Sequence, residues 1–77
     1  MTVKVVVVGG SGFIGSHVAD CLSDNGYQVT IFDHVNSPWL RDDQHMIIGD
    51  ILDAELVEQT IKGAKFVYNF AALADLN

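Results

Sequence analysis

The sequence predicts an α/β fold: the first half of a doubly wound parallel sheet with helices on its faces. Three observations predict it. Val3 to Val8 is apolar without alternation, the pattern of a strand covered on both sides in the middle of a parallel sheet. The period then switches abruptly from strand to helix across a run of glycines. Finally, the segments follow in the order strand, helix, strand, strand, helix, strand, which right-handed crossovers arrange as 3-2-1-4 with the valine strand central.

Each element has its own warrant. Residues 13 to 25 place Ile14, Val18, Cys21 and Leu22 at helical spacing, with Asp20, Ser23 and Asp24 expected to face away. Cys21 is accordingly expected in the core. Asn25-Gly26 ends this helix, Gly26 being suited to a left-handed position just past its end. Tyr27 to Phe32 is rich in β-formers and reads as the second strand. Residues 34 to 43 form a loop around Ser37-Pro38, and His45 to Ile48 is a short third strand. Asp53 is placed to cap a second helix running to Ile61, with Leu56, Val57 and Ile61 on one face and Gly63 at its stop. Lys65 to Phe70 is the fourth strand, an edge in the 3-2-1-4 order.

Size and charge narrow the function. A chain of 77 residues forms one small domain at most and buries only about 60% of its unfolded surface. With 49% hydrophobic residues it is rich for so short a chain, so residues 1–77 are expected to be a half-domain of something larger. Ten acidic against four basic residues, net −6, argue against nucleic-acid or anionic-membrane partners. No apolar run approaches the ~20 residues of a membrane span. Val5 to Val8 is too short for a signal peptide, and a lone cysteine forms no internal disulfide. A soluble, cytoplasmic chain is expected.

The glycine run carries the chemistry. Gly10-Ser11-Gly12-Phe13-Ile14-Gly15 matches G-x-G-x-x-G, and Gly9, Gly12 and Gly15 match G-x-x-G-x-x-G. The second register is favoured because Gly9 directly follows the strand. Gly9 turns the chain sharply, Gly12 admits phosphate oxygens close to the backbone, and Gly15 lets the helix pack on the strand it has left. A pyrophosphate would then sit on the helix N-terminus, held by the N–H groups of Gly12, Phe13 and Ile14. Asp33 follows Gly15 by 18 residues at the end of strand two, placed to accept bonds from both adenosine ribose hydroxyls and to repel a 2′-phosphate. No Lys or Arg lies between Asp33 and Leu40, so NAD is favoured over NADP. A P-loop is excluded, since Gly15 is followed by Ser16-His17 and not by Lys-Ser/Thr. Methyltransferase and flavin sites use a similar turn and acid and stay as minor alternatives.

These residues resemble the extended short-chain dehydrogenase/reductase family, particularly its NAD-dependent sugar epimerases and dehydratases. Gly9 to His17 (GGSGFIGSH) is similar to the family's cofactor motif, and Asp33 matches its ribose-binding acid. Gly49-Asp50-Ile51-Leu52-Asp53 resembles its segment after strand three, which implies that Asp50 binds the adenine amino group and Ile51 lines the ring. Asn69-Phe70-Ala71-Ala72 resembles its segment after strand four, which implies that the backbone at Ala71 and Ala72 passes the central ribose and phosphates. The resemblance spans residues 3 to 74. It implies a Rossmann-type fold, NAD as cofactor, a nucleotide-sugar substrate for the complete enzyme and a homodimeric parent.

Val8 and Asn69 depart from the family's frequent threonine and histidine without removing a backbone contact. The family's catalytic Tyr-x-x-x-Lys is absent: Ile31 follows Tyr27 by four residues, and Ala72 follows Tyr68. No catalytic residue is therefore assigned. A plain NAD(P)-dependent reductase of the same superfamily and a non-catalytic dinucleotide sensor are the rival readings. The remaining conspicuous residues have modest roles. His17 is a polar residue near the turn, His34 and His45 show no metal-like clustering, and Asp42-Asp43 is a solvated turn. Trp39 either packs at the adenine edge or covers the sheet.

Overall fold

The computed structural model describes residues 2–70. Its elements are β1 (Lys4–Val8), α1 (Phe13–Asp24), β2 (Gln28–Asp33), β3 (Gln44–Ile48), α2 (Ala54–Ile61) and β4 (Phe66–Asn69). The four strands are parallel in the order β3-β2-β1-β4, as the crossovers predict. The valine strand is central: Val5, Val6 and Val7 have no exposed surface. Its register sets Val5 beside Val29 on one side and beside Phe66 on the other.

Alternation along β1 divides the core between the two faces. Val7 packs with Ala19, Val29 and Ile31 on the α1 side, with Leu22, Tyr27 and Met46 around them. Val6, Val8 and Phe32 face the other way, under Leu56, Val57 and Ile61 of α2. The expected apolar face of α2 is therefore the one that packs. Helix α1 packs its expected face only in part, through Leu22. Its buried residues are Gly15, Ser16 and Ala19, while Ile14 is 63% exposed and Cys21 is exposed. At 100° per residue, Cys21 lies about 200° from Ala19 and so points outward. Small residues win the inner face because they let the helix axis approach the sheet closely.

Nor do the polar residues of α1 simply face solvent. Gln44 is buried at the start of β3, and its Nε2 donates to Asp20 Oδ1 (2.9 Å) and Ser23 Oγ (3.1 Å). Arg41 reaches Asp24 Oδ1 at 2.8 Å and Asp43 Oδ2 at 3.4 Å. These bonds tie the edge strand to the first helix. Gly26 has φ +89°, the left-handed position expected past the end of α1. Strand β4 is the opposite edge, and Phe66, Val67 and Tyr68 are each 40–47% exposed.

Asp53 caps α2 as expected, its Oδ1 accepting from Leu56 N–H at 3.2 Å. Asp53→Ala removes that acceptor and is expected to cost about 1 kcal/mol. In a domain of this size that lowers Tm by roughly 4–8 °C, which thermal unfolding followed by circular dichroism measures.

Candidate functional site

A cleft of about 1080 Å³ opens at the C-terminal ends of the strands, between the turn after β1 and the segments after β2 and β3. This is where a doubly wound sheet binds its ligand, because the helix N-termini point there. Gly9, Gly12, Phe13, Ile14, Gly15, Asp33, Asp50 and Ile51 all line it. The glycine turn and both acids are thus brought to one space. Ala71 and Ala72, the remaining expected site residues, lie outside the described residues.

The turn is built by glycines with different duties. Gly9 has φ +80° while its N–H still bonds Phe32 O at 2.7 Å, so the chain leaves the sheet within one residue of the last strand bond. A Cβ on Gly15 would sit 2.7 Å from Gly9 O and 2.8 Å from Gly10 Cα. The helix therefore packs directly on the turn, as expected. At Gly12 the nearest atom to a Cβ is Gly9 O at 3.8 Å, and the space belongs to the cleft. The favoured Gly9-Gly12-Gly15 register accounts for these three positions. It leaves out Gly10, where a Cβ would meet Ile31 Cγ2 at 2.8 Å. It also gives no hint of Gly49, where a Cβ would meet Leu56 Cδ2 and the Phe32 ring.

Helix α1 starts with Gly12 as its N-cap in extended conformation, and its first internal bond runs from Ser16 N–H to Gly12 O at 2.8 Å. The N–H groups of Phe13, Ile14 and Gly15 precede that bond and have no acceptor within the helix. Gly12 N–H instead turns back to Gly9 O at 3.4 Å, so Gly15 replaces Gly12 among the donors expected to face a phosphate. No acidic side chain occupies the first turn to compete for these donors. The arrangement suits an anion on both hydrogen-bonding and dipole grounds.

Asp33 is held by the turn it faces. Its Oδ2 accepts from Ser11 N–H at 3.0 Å, and its Oδ1 accepts from His34 N–H at 2.7 Å. The Asp33 side chain is only 9% exposed, which fixes the carboxylate's direction. Ser11 adds a second tie, its Oγ donating to Val35 O at 2.8 Å. Sequence reasoning gave Ser11 no role, because its partners lie 22 and 24 residues away. Asp50 is exposed; its Oδ1 accepts from Leu52 N–H at 2.9 Å, which orders the chain beyond β3.

No Lys or Arg lines the cleft among the described residues. Arg41, the nearest cation in sequence after Asp33, is committed elsewhere: the Asp24 hydrogen bond, then the charges of Asp24, Asp43 and Asp20, raise its pKa above the ordinary value. Trp39 does not line the cleft but lies edge-on to Phe13, ring centres 6.4 Å apart. His17 makes a similar contact with Phe13 at 4.5 Å. Among the described residues no group of His, Cys, Asp and Glu is placed to hold a metal, and no helix is long and apolar enough to cross a membrane.

Comparison with known proteins gives a consistent set of likenesses. The model of the NAD dependent epimerase/dehydratase family matches residues 5–77. A 3-beta-hydroxysteroid dehydrogenase of Mycolicibacterium neoaurum is 35% identical over 74 residues, which is 95% of this chain and 20% of that protein. Among solved structures, the UDP-glucose 4-epimerase of Brucella ovis in complex with NAD is 40% identical, with TM-score 0.77 over 91% of this chain and 23% of that one. The UDP-glucose 4-epimerase of Thermotoga maritima, solved with UDP-glucose, is 34% identical, with TM-score 0.80 over 88% of this chain and 24% of that one. The chain thus spans about a fifth to a quarter of the length of these proteins.

Proposed function

Because the chain belongs to the NAD-dependent epimerase/dehydratase family, we propose that its cleft binds NAD for an enzyme acting on a nucleotide sugar. One observation supports the reading: Phe13, Ile14 and Gly15, whose N–H groups have no acceptor within the helix, and Asp33, whose carboxylate is fixed by Ser11, line the same cleft. The N–H groups suit a pyrophosphate, and the carboxylate suits a ribose diol. The open space at Gly12 lets phosphate oxygens reach the backbone. Asp50 and Ile51 line the same cleft, and an adenine ring would lie against them. Ala71 and Ala72 would pass the cofactor's central part.

Bound NAD would supply a reversible hydride acceptor. The residues of this chain bind and orient it. Neither Tyr27 nor Tyr68 has a lysine four residues on, so no acid–base step is assigned to this stretch. The cytoplasm is the proposed setting, and a homodimer is the proposed assembly. A second reading is specifically favoured by the likeness to a hydroxysteroid dehydrogenase: a dehydrogenase of the same family that releases reduced cofactor.

Calorimetric titration tests the cofactor first. NAD is expected to bind at least tenfold more tightly than NADP, and equal affinity would remove the basis of the assignment. Incubating the complete NAD-loaded enzyme that contains these residues with UDP-glucose and, separately, with a 3β-hydroxysteroid then separates the readings. Conversion of the sugar without accumulation of NADH supports the epimerase; steroid oxidation with NADH release supports the dehydrogenase.

A further inference from the structure

We infer that His34 tunes the choice between NAD and NADP, admitting a 2′-phosphate when its imidazole is protonated. The inference rests on the cofactor reading above and names a determinant of specificity at that site. His34 Nδ1 lies 2.9 Å from Asp33 Oδ1, and its side chain is 80% exposed at the cleft while Asp33 is 9% exposed. The residue assigned to the ribose hydroxyls therefore carries a histidine on Oδ1. Asp33 at the end of β2 and Asp50 after β3 are the other ionisable side chains lining the cleft among the described residues. With Arg41 engaged by Asp24 and Asp43, His34 is the one side chain lining the cleft there that can become positive.

The sign follows from charge. With a neutral imidazole, the Asp33 carboxylate faces the ribose 2′ position uncompensated, and a 2′-phosphate is repelled. A protonated imidazole holds Asp33 through Nδ1–H, offsets its charge and leaves Nε2–H as a further donor. Histidine is the residue type that makes this change between about pH 5 and 8. Asp50 lines the cleft in both states and does not distinguish them.

The test is the ratio of NADP to NAD dissociation constants at pH 8.5 and pH 5.5, for the wild-type protein, H34Q and H34K. A phosphate monoester itself changes charge near pH 6, so H34Q supplies the baseline. The wild-type ratio is expected to fall about fivefold more than the H34Q ratio, the scale of an exposed ion pair. H34K is expected to show the low ratio already at pH 8.5. The exposure of His34 means none of these changes disturbs the core. Parallel profiles for wild type and H34Q, with NAD binding intact, would overturn the inference alone. Failure of the wild-type protein to bind NAD at either pH would overturn the proposed function and the inference together.

Discussion

Gly12→Val is expected to leave the chain folded and to abolish dinucleotide binding. The two outcomes separate because of where the new atoms go. A Cβ at Gly12 meets nothing closer than Gly9 O at 3.8 Å, so the first carbon is accommodated without moving the backbone. The isopropyl group is then expected to occupy the cleft at the start of α1, where the free N–H groups of Phe13, Ile14 and Gly15 lie. A pyrophosphate held off these donors loses at least two charge-assisted bonds of roughly 1.5–3 kcal/mol each. That corresponds to a drop of about 100-fold or more in affinity, for NAD and NADP alike. Valine is a poor N-cap, so a stability loss of up to about 1 kcal/mol accompanies it. Gly15→Ala is the matched control. Its Cβ would meet backbone at 2.7 and 2.8 Å, so it must shift the helix off the turn and destabilise the fold itself. Thermal unfolding beside calorimetric titration distinguishes the two. A Gly12→Val protein that is folded and binds NAD normally would show that the cofactor does not approach this turn.

The contrast between these glycines also shows what the sequence makes legible. Strand order, the central valine strand and the Asp53 cap follow from local period and from the chirality of crossovers, and the structure has all three. Gly9, Gly12 and Gly15 are readable because their duties are local, set within seven residues of one another. The duties of Gly10 and Gly49 are less legible: a Cβ at Gly10 would meet Ile31 as well as the nearby Val7, and one at Gly49 would meet Leu56 and Phe32, and Ile31, Phe32 and Leu56 come close only through the fold. The rotation of α1 escaped for a similar reason. Period locates an apolar stripe of Ile14, Val18, Cys21 and Leu22, but the helix turns Gly15, Ser16 and Ala19 inward for close approach to β1 and β2, and only Leu22 of the stripe packs on the core. Asp20 and Ser23 read as solvent-facing until Gln44, 24 and 21 residues later, returns to bind them. Asp33 was found from its position alone. The bonds that hold it, from Ser11 and His34, are visible only in three dimensions.

Asp33→Ala is expected to weaken NAD by about 10- to 150-fold and to narrow its advantage over NADP. The first effect is the loss of a carboxylate contact to the ribose hydroxyls, worth roughly 1.5–3 kcal/mol for bonds to a charged group. The second is relief of repulsion, because Asp33 is the acid beside the proposed 2′ position and no lysine or arginine lines the cleft among the described residues. The substitution has a local cost as well. Ser11 N–H and His34 N–H both donate to this carboxylate, so alanine frees the phosphate turn from the end of β2. Asp33→Asn separates these contributions: its amide oxygen keeps an acceptor for one N–H while removing the charge. Asn is therefore expected to relax the NAD/NADP ratio while losing less NAD affinity than alanine does. Titrating both cofactors against wild type and both variants reads each contribution. An NAD/NADP ratio unchanged in Asp33→Ala would reduce Asp33 to a clasp for the Ser11 turn, and cofactor choice would then have to come from other residues.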